Sequence, residues 1–224
     1  MAIFDKEAKA YESWYKTLEG DYVLKKESEL LLKMIGDTAN KSILDIGCGT
    51  GVHSILVSSI NNKVIGIDCS KKMILEANKK ASDNLSFLEM DSTNLEFVDE
   101  QFDIVMSLAM IEFVEGKERV IEEAMRVLKP GGMLLVGTIQ KHSEFANMYE
   151  SQYFQENTVF KYASFMSREE LESFFNEFHV RTEECLFNSY DKIKHLNNVD
   201  TKSDDTQIGG FMISLWMKGD RKYE

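Results

Sequence analysis

The sequence predicts a doubly wound α/β fold with a mostly parallel sheet, on the strength of two observations. Short apolar runs alternate with segments whose apolar residues recur at helical spacing, which is typical of strands joined by crossover helices. The apolar run at 43–46 also leads directly into three glycines at alternate positions, Gly47, Gly49 and Gly51. Such glycines permit positive φ angles and let a ligand approach the main chain. We therefore expect a strand, a tight turn, and a helix whose free N–H groups point towards a ligand.

Two helices are predicted ahead of this first strand. Their apolar faces would be formed by Phe4, Ala8, Tyr11, Tyr15 and Leu18 in the first helix and by Leu24, Leu31, Leu32 and Ile35 in the second. The first set recurs at three- and four-residue intervals, and the second set repeats after seven residues, so the members of each set fall on one side of a helix.

Alternating strands and helices continue to about Val136. The helix after the glycines is marked by Val52, Ile55, Leu56 and Ile60, and the second strand ends at Asp68. Pro130, the only proline of the chain, and Gly131 fit successive central positions of a turn before the fifth strand, and the second of these positions needs a positive φ.

The last third of the chain is predicted to add one helix and two closing strands. Ser167 and Glu170 have the spacing of a capping box, ahead of a helical stripe of Leu171, Phe174, Phe175 and Phe178. The closing strands are expected near 180–188 and 209–217. The polar stretch 191–207 between them is predicted to form a hairpin-like excursion from the sheet.

The glycine spacing separates two classes of nucleotide cofactor. Dinucleotide enzymes favour a third small residue where this chain has Val52, so a dinucleotide-dependent oxidoreductase is a weaker alternative. The actual spacing, behind Asp45, resembles the signature of class I S-adenosylmethionine-dependent methyltransferases. Segments 87–95, 102–107 and 126–136 resemble that family's third strand, fourth strand and turn into the fifth. Over nearly the whole chain the match looks closest to the small-molecule branch that includes the quinone C-methyltransferases.

The resemblance implies a Rossmann-like, mostly parallel seven-stranded sheet with an antiparallel last strand and an N-terminal helical lid. It also implies one methyltransferase domain over residues 1–224. Within it, residues 1–36 would form the N-terminal helices and lid, 41–138 the cofactor-binding core, and 139–224 the acceptor-side segment and closing strands.

By the same resemblance, the cofactor is S-adenosylmethionine. The residues implied to hold it are Tyr11, Trp14, Asp45, Gly47, Cys48, Gly49, Asp68, Cys69, Met73, Asp91, Ser92 and Ser107. Asp45 and the glycines would hold the methionine end, and Asp68 the ribose. Two alternatives stay open, namely that Tyr11 and Trp14 belong to the core and that Asp68 only caps the helix beginning near Ser70.

The reactive end of the site is less defined by the sequence. Many small-molecule relatives carry a His in the loop after the fourth strand, where this chain has Glu112. Glu112 is a candidate general base, but it could equally cap the next helix or face water. An acceptor pocket or ordinary core would account for the aromatic-rich set Phe145, Met148, Tyr149, Tyr153, Phe154, Phe160, Tyr162 and Phe165. Methyl transfer by direct displacement needs alignment more than acid catalysis, so no catalytic triad is required.

Composition narrows the choice of partners. With 38 acidic against 26 basic residues and a net charge of −12, the chain is poorly suited to nucleic acid or anionic membranes. The resemblance implies a small-molecule methyl acceptor. No apolar run is long enough to span a membrane, and a cytoplasmic location is expected. The three cysteines and four histidines have no metal-ligand spacing, so no metal is expected. A non-catalytic S-adenosylmethionine-binding regulator is the other alternative. The acceptor, the methylated atom and the oligomeric state are left open.

Overall fold

A computed structural model describes residues 3–188, 190, 193, 200, 202, 203 and 206–219 of the chain. Within these residues seven strands form one sheet. The strands are β1 (Ser42–Ile46), β2 (Lys63–Asp68), β3 (Leu85–Glu89), β4 (Phe102–Leu108), β5 (Leu128–Ile139), β6 (His179–Cys185) and β7 (Phe211–Met217). Most of the excursion predicted at 191–207 lies outside the described residues.

The strand order is β3-β2-β1-β4-β5-β7-β6. Strands β1 to β5 pair in parallel, while β7 is antiparallel to both β5 and β6. The prediction of a mostly parallel seven-stranded sheet with an antiparallel last strand is therefore confirmed. Because the chain order reverses beside β1, Leu44 pairs with Ile65 of β2 on one side and with Val105 of β4 on the other. A reversal of this kind opens a crevice at the carboxyl ends of the strands.

The helices lie on both faces of the sheet. They are α1 (Ala8–Trp14), α2 (Leu18–Ile35), α3 (Val52–Ser58), α4 (Lys71–Ala77), α5 (Lys117–Val127), α6 (Glu144–Tyr149), α7 (Gln152–Asn157) and α8 (Arg168–Glu172). Short 3₁₀ turns cover Ile3–Lys6, Asn78–Lys80, Ile111–Phe113, Val159–Tyr162 and Asn176–Phe178. No helix among the described residues is both long and apolar enough to cross a bilayer.

The core has two layers because successive strand residues point to opposite faces of the sheet. On one face, Ile43 packs in a cluster with Leu31 and Val57 of α2 and α3. On the other face, Leu44 packs in a cluster with Val120 of α5 and Leu171 of α8. All six side chains are fully buried.

The N-terminal helices divide at a different place from the one predicted. Leu18 does not extend the first helix; it begins α2 and is 73% exposed. The reason is local, since Thr17 Oγ1 accepts a hydrogen bond from Gly20 N at 3.1 Å and caps α2. A Cβ at Gly20 would lie 2.1 Å from the Trp14 carbonyl oxygen, so the close turn requires glycine there.

Three further boundaries differ from the prediction. Helix α3 ends at Ser58, before Ile60. The capping box of Ser167 and Glu170 is confirmed, but α8 stops at Glu172, because Phe175 adopts a left-handed conformation with φ of 44°. Gly131 has the predicted positive φ, at 73°, yet Pro130 and Gly131 lie within β5, where the pairing with β4 shifts register.

Replacing Gly51 with alanine should test the packing under the glycine turn. Gly51 has φ of 84°, and an added Cβ would lie 2.5 Å from Cζ of the buried Phe87. Gly131→Ala is the matched control, because Gly131 also has a positive φ but nothing lies within 4 Å of its Cβ position. We expect Gly51→Ala to cost about 1–3 kcal/mol more in the free energy of unfolding than the control, measured by urea denaturation. Equal losses would mean that the Phe87 contact is not tight.

Candidate functional site

The turn after β1 is folded tightly against its neighbours. Gly47 and Gly49 have φ of 74° and 54°, and the Gly47 and Cys48 N–H groups both donate to the Ile67 carbonyl, at 2.8 and 2.9 Å. A Cβ at Gly47 would lie 2.2 Å from Met110 Cγ. A Cβ at Gly49 would meet only Tyr11, at 4.0 Å. The Gly49 backbone therefore faces open space, and this is the side from which a ligand can approach.

Asp68 ends β2 beside this turn. Its Oδ2 accepts from Gly49 N at 3.0 Å and its Oδ1 accepts from Ser70 N at 2.7 Å. Burial raises the pKa of this carboxyl, and the two backbone N–H groups oppose that rise. The cap of α4 is Ser70, whose Oγ accepts from Met73 N at 3.2 Å. The alternative that Asp68 itself caps this helix is therefore wrong.

Asp45 lies beneath the turn and is almost fully buried. Ser54 Oγ donates to its Oδ2 at 2.5 Å. Burial, opposed by that hydroxyl and reinforced by the charge of Asp68, raises the pKa of Asp45 to about 7. A carboxyl in this condition can ionise readily when a cationic group arrives.

These groups line one cavity, which we call the switch-point cavity. Nine of the twelve predicted cofactor residues line it, namely Tyr11, Asp45, Gly47, Cys48, Gly49, Asp68, Cys69, Met73 and Ser92. Met90 and Met110 also line this cavity and were not predicted from the sequence. Their place directly after β3 and β4 was the available signal, because the carboxyl ends of parallel strands meet at one edge of the sheet.

The other three predicted cofactor residues lie elsewhere. Trp14 lines a neighbouring cavity. Asp91 is exposed, and its Oδ1 accepts from both the N–H and the hydroxyl of Thr93 at 2.8 Å. Ser107 is buried within β4, and its hydroxyl has no hydrogen-bond partner among the described residues.

The N-terminal segment covers the switch-point cavity. The Phe4 ring packs edge-on against Phe113, with centroids 4.9 Å apart, and the Tyr15 hydroxyl donates to the Tyr11 hydroxyl at 3.1 Å. Ser70 Oγ donates to Asp5 at 2.8 Å, which fixes the start of the segment to the cap of α4. These contacts hold the N-terminal segment against the other residues that line the cavity.

A second cavity of about 280 Å³ adjoins the first, and we call it the aromatic cavity. It shares five lining residues with the switch-point cavity: Phe4, Tyr11, Tyr15, Ala109 and Phe113. Of the predicted aromatic-rich set, Phe145, Met148, Tyr149, Phe154 and Phe160 line it. The Tyr149 and Phe160 rings stack with centroids 3.8 Å apart. Tyr153 and Tyr162 are exposed instead, and Phe165 is buried in the core.

Glu112 lines the aromatic cavity and is only 1% exposed. Its Oε2 accepts from Thr138 Oγ1 at 3.1 Å, while its Oε1 is buried without a hydrogen-bond partner among the described residues. Burial raises its pKa to about 7. Glu112 thus neither faces water nor caps the next helix, since the residue at the N-cap of α5 is Gly116. Both structural alternatives for Glu112 are wrong.

Glu27 is a second buried carboxylate that lines the aromatic cavity, and it was not predicted from the sequence. It is 7% exposed, and among the described residues the basic group within 4.0 Å of its carboxylate is the imidazole of His53, whose Nε2 lies 4.0 Å from Glu27 Oε2. Burial lowers the pKa of His53 to about 4, so the imidazole is neutral at pH 7. Burial, followed by the charge of Glu112, raises the pKa of Glu27 to about 8. The signal was a charged residue four positions from both Val23 and Leu31 on the buried face of α2.

The pKa of Glu27 predicts how the stability of the ligand-free protein depends on pH. Folded, Glu27 keeps its proton up to about pH 8, whereas the unfolded chain releases it near the ordinary value of 4.5. The resulting stabilisation is fully present below pH 4.5 and is lost as the pH rises through 8. Glu27→Gln should therefore flatten the fall in unfolding free energy between pH 5 and 8, while Glu144→Gln, at an exposed glutamate of α6, should not. Identical slopes in Glu27→Gln and the parent protein would show that Glu27 titrates normally.

Comparisons with known proteins agree with this geometry. A family described as a methyltransferase domain matches residues 44–136. An uncharacterized protein of Methanocaldococcus jannaschii is 33% identical over 196 residues, which cover 86% of this chain and 89% of that protein. A malonyl-acyl-carrier-protein O-methyltransferase of Hamiltonella defensa is 30% identical over 70% of this chain, and the match spans only 59% of that enzyme.

A solved structure is also similar over nearly the full length. It is an S-adenosylmethionine-dependent methyltransferase of Thermotoga maritima, described as a possible histamine N-methyltransferase. The two chains are 25% identical with a TM-score of 0.80, and the match covers 96% of this chain and 98% of the other. Together with the glycine turn and the sheet order, these similarities exclude the dinucleotide-dependent oxidoreductase alternative. This chain belongs to the class I S-adenosylmethionine-dependent methyltransferases, and S-adenosylmethionine is its methyl donor.

Proposed function

We propose that this enzyme methylates a small molecule held in the aromatic cavity. The observation that carries the proposal is the shared boundary of the two cavities, formed by Phe4, Tyr11, Tyr15, Ala109 and Phe113. A donor in the switch-point cavity and an acceptor in the aromatic cavity would meet at this boundary. Proximity and alignment of this kind are the main requirements of a direct displacement.

The switch-point cavity suits the donor. The open face of Gly49 leaves room for the methionine end, and Asp45 would ionise beside the ammonium group of the donor. Asp68 would accept the ribose hydroxyls with lone pairs that its two backbone donors leave free. Cys48 lines the turn, and Cys69, Met73 and Ser92 would surround the adenine.

Three predicted cofactor residues, Asp91, Trp14 and Ser107, do not line the switch-point cavity. Asp91 would reach the adenine only by giving up its hydrogen bonds with Thr93. Trp14 fits the acceptor side of the boundary better than the donor side, since it lines the aromatic cavity alone. For Ser107, buried within β4, we propose no contact with the donor.

A small acceptor is favoured by the size of the aromatic cavity and by the charge of the protein. The cavity volume is about 280 Å³, and the net charge of −12 is unfavourable for polyanions. The named relatives, by their names, act on oxygen or nitrogen, so they do not fix the acceptor atom. The sulfonium donor supplies an activated methyl group and leaves as a neutral thioether. The contribution of the chain is to align the two molecules and to keep water out.

Asp68→Asn should weaken binding of the demethylated product, S-adenosylhomocysteine. The change keeps the size of the side chain but removes the charge, and charge-assisted hydrogen bonds contribute about 1.5–3 kcal/mol, so affinity should fall roughly tenfold to a hundredfold. Asp103→Asn is the matched control. Asp103 lies at the opposite end of β4, where it accepts from Ser42 and Lys129. The control should lower the unfolding free energy and leave affinity unchanged in calorimetry. Unaltered affinity in Asp68→Asn would remove Asp68 from the site.

The N-terminal segment should behave as a lid. Binding of S-adenosylhomocysteine should slow hydrogen exchange of the amides in residues 4–15, because these residues lie over the ligand. Amides of α5, on the opposite face of the sheet, serve as the internal control and should exchange at the same rate with and without ligand. Exchange over residues 4–15 that is equally slow in both states would identify a permanently closed core helix.

A further inference from the structure

Three glutamates line the aromatic cavity, Glu7, Glu27 and Glu112, and its described lining residues include no Lys, Arg or His. Glu27 and Glu112 are both more than nine-tenths buried, in surroundings made mostly of aromatic and aliphatic side chains. Burying a carboxyl group without a partner is costly, and the cost is recovered only when a cation or a set of hydrogen-bond donors satisfies it. Without a bound cation the two groups tend to stay protonated, as their raised pKa values show, and a cation bound between them would let both ionise.

The nearby basic side chains are engaged elsewhere. Lys26, which precedes Glu27 in α2, donates to Glu29 at 2.9 Å. Lys117 donates to the Val114 carbonyl at 3.2 Å. His53 is uncharged at neutral pH, as its lowered pKa shows, and at 4.0 Å it is beyond hydrogen-bond distance of Glu27. Within the part of the chain that the structure describes, no cation completes the pair.

Glu27 and Glu112 also lie close to the place where the methyl group would be delivered. Glu112 lies between Ala109 and Phe113 in sequence, and both of these residues line both cavities. Glu27 lies 4.0 Å from His53, which lines the switch-point cavity. The pair therefore flanks the boundary rather than the far end of the aromatic cavity.

We propose, resting on the proposed function above, that the acceptor is a small amine with an aromatic or apolar body. Its ammonium group would bind between Glu27 and Glu112, and its nitrogen would receive the methyl group. The stacked rings of Tyr149 and Phe160 and a volume of about 280 Å³ suit a body of one or two rings. A protonated amine matches the charge of the site, whereas a neutral alcohol would leave it uncompensated and an acid would oppose it.

The reaction balances with these groups alone. The ammonium passes a proton to the Glu112 carboxylate, which has a free Oε1. The nitrogen lone pair then forms the N–C bond as the S–C bond breaks, and the electron pair of that bond goes to sulfur. The products are a methylated ammonium ion and the neutral thioether, and Glu112 returns its proton to solvent when the product leaves.

Burial brings the pKa values of Glu27 and Glu112 close to neutral pH. The titratable groups that interact electrostatically with Glu27 are Tyr11, Tyr15, His53, Glu112, Tyr149 and Cys185, and those that interact with Glu112 include Lys117. Burial raises the pKa of Tyr11 to about 12 and raises those of Tyr15, Tyr149 and Cys185 further above neutrality. Binding of an ammonium should therefore release a proton from the carboxylate pair, and affinity should rise between pH 6 and 8.

Calorimetry on the enzyme saturated with S-adenosylhomocysteine tests the proposal. The probes are benzylamine, 2-phenylethylamine and tryptamine, each paired with the alcohol of the same skeleton. We expect at least one amine to bind tenfold or more tightly than its alcohol. Glu27→Gln and Glu112→Gln should each reduce that amine's affinity at least tenfold without changing the affinity for the alcohol or for S-adenosylhomocysteine. Glu144→Gln, which alters an exposed residue of the helix that carries Phe145 and Tyr149, should change none of them.

The outcomes separate this inference from the proposed function. Failure to bind S-adenosylhomocysteine would contradict the proposed function and, with it, this inference. Normal binding of that ligand with no amine preferred over its alcohol would overturn the inference alone, as would variants that weaken amine and alcohol equally. The tightest amine, incubated with S-adenosylmethionine, should gain one methyl group on nitrogen by mass spectrometry. An unmethylated amine would overturn the assignment of nitrogen as the acceptor.

Discussion

The reversal of strand order beside β1 is the constraint on which the rest of the site depends. Because β2 and β4 flank β1 on opposite sides, the connections that follow these strands diverge and leave a crevice between them. The groups at the crevice each follow a strand end, with the glycine turn after β1, Asp68 at the end of β2, and Met110 and Glu112 after β4. The turn fits only because Gly47 lies against Met110 and Gly51 against Phe87, where no Cβ has room.

Three buried carboxyl groups with raised pKa values line the two cavities. Burial raises the pKa values of Asp45, Glu27 and Glu112 to about 7, 8 and 7. Without ligands these groups keep protons that they would lose in water, and a positively charged ligand would draw those protons out. The donor carries positive charge on its sulfonium and ammonium groups. A cationic acceptor would bring the second charge, and this is the physical link between the two proposals.

Much of the fold could be predicted because its signals are local. Apolar runs and the glycine turn indicated the strands around β1, and the Ser167 capping box is set by residues three apart. The break between α1 and α2 could not be predicted from apolar periodicity, because it depends on the Thr17 cap and on the packing of Gly20 under Trp14. The end of α8 at Glu172, three residues before the left-handed Phe175, is also not predictable from a pattern of apolar residues.

The site divides in the same way. The strand-end residues Asp45 and Asp68 follow from motif and topology, whereas Glu27 comes from a helix about 85 positions from Glu112 in the chain, and only tertiary packing brings them to one cavity. The most direct test of the account is a crystal structure with S-adenosylhomocysteine bound. We expect the sulfur of this ligand to lie at the boundary formed by Tyr11 and Ala109 and to face the cavity that Glu112 lines. A sulfur turned away from the aromatic cavity, or a ligand bound outside the crevice beside β1, would contradict it.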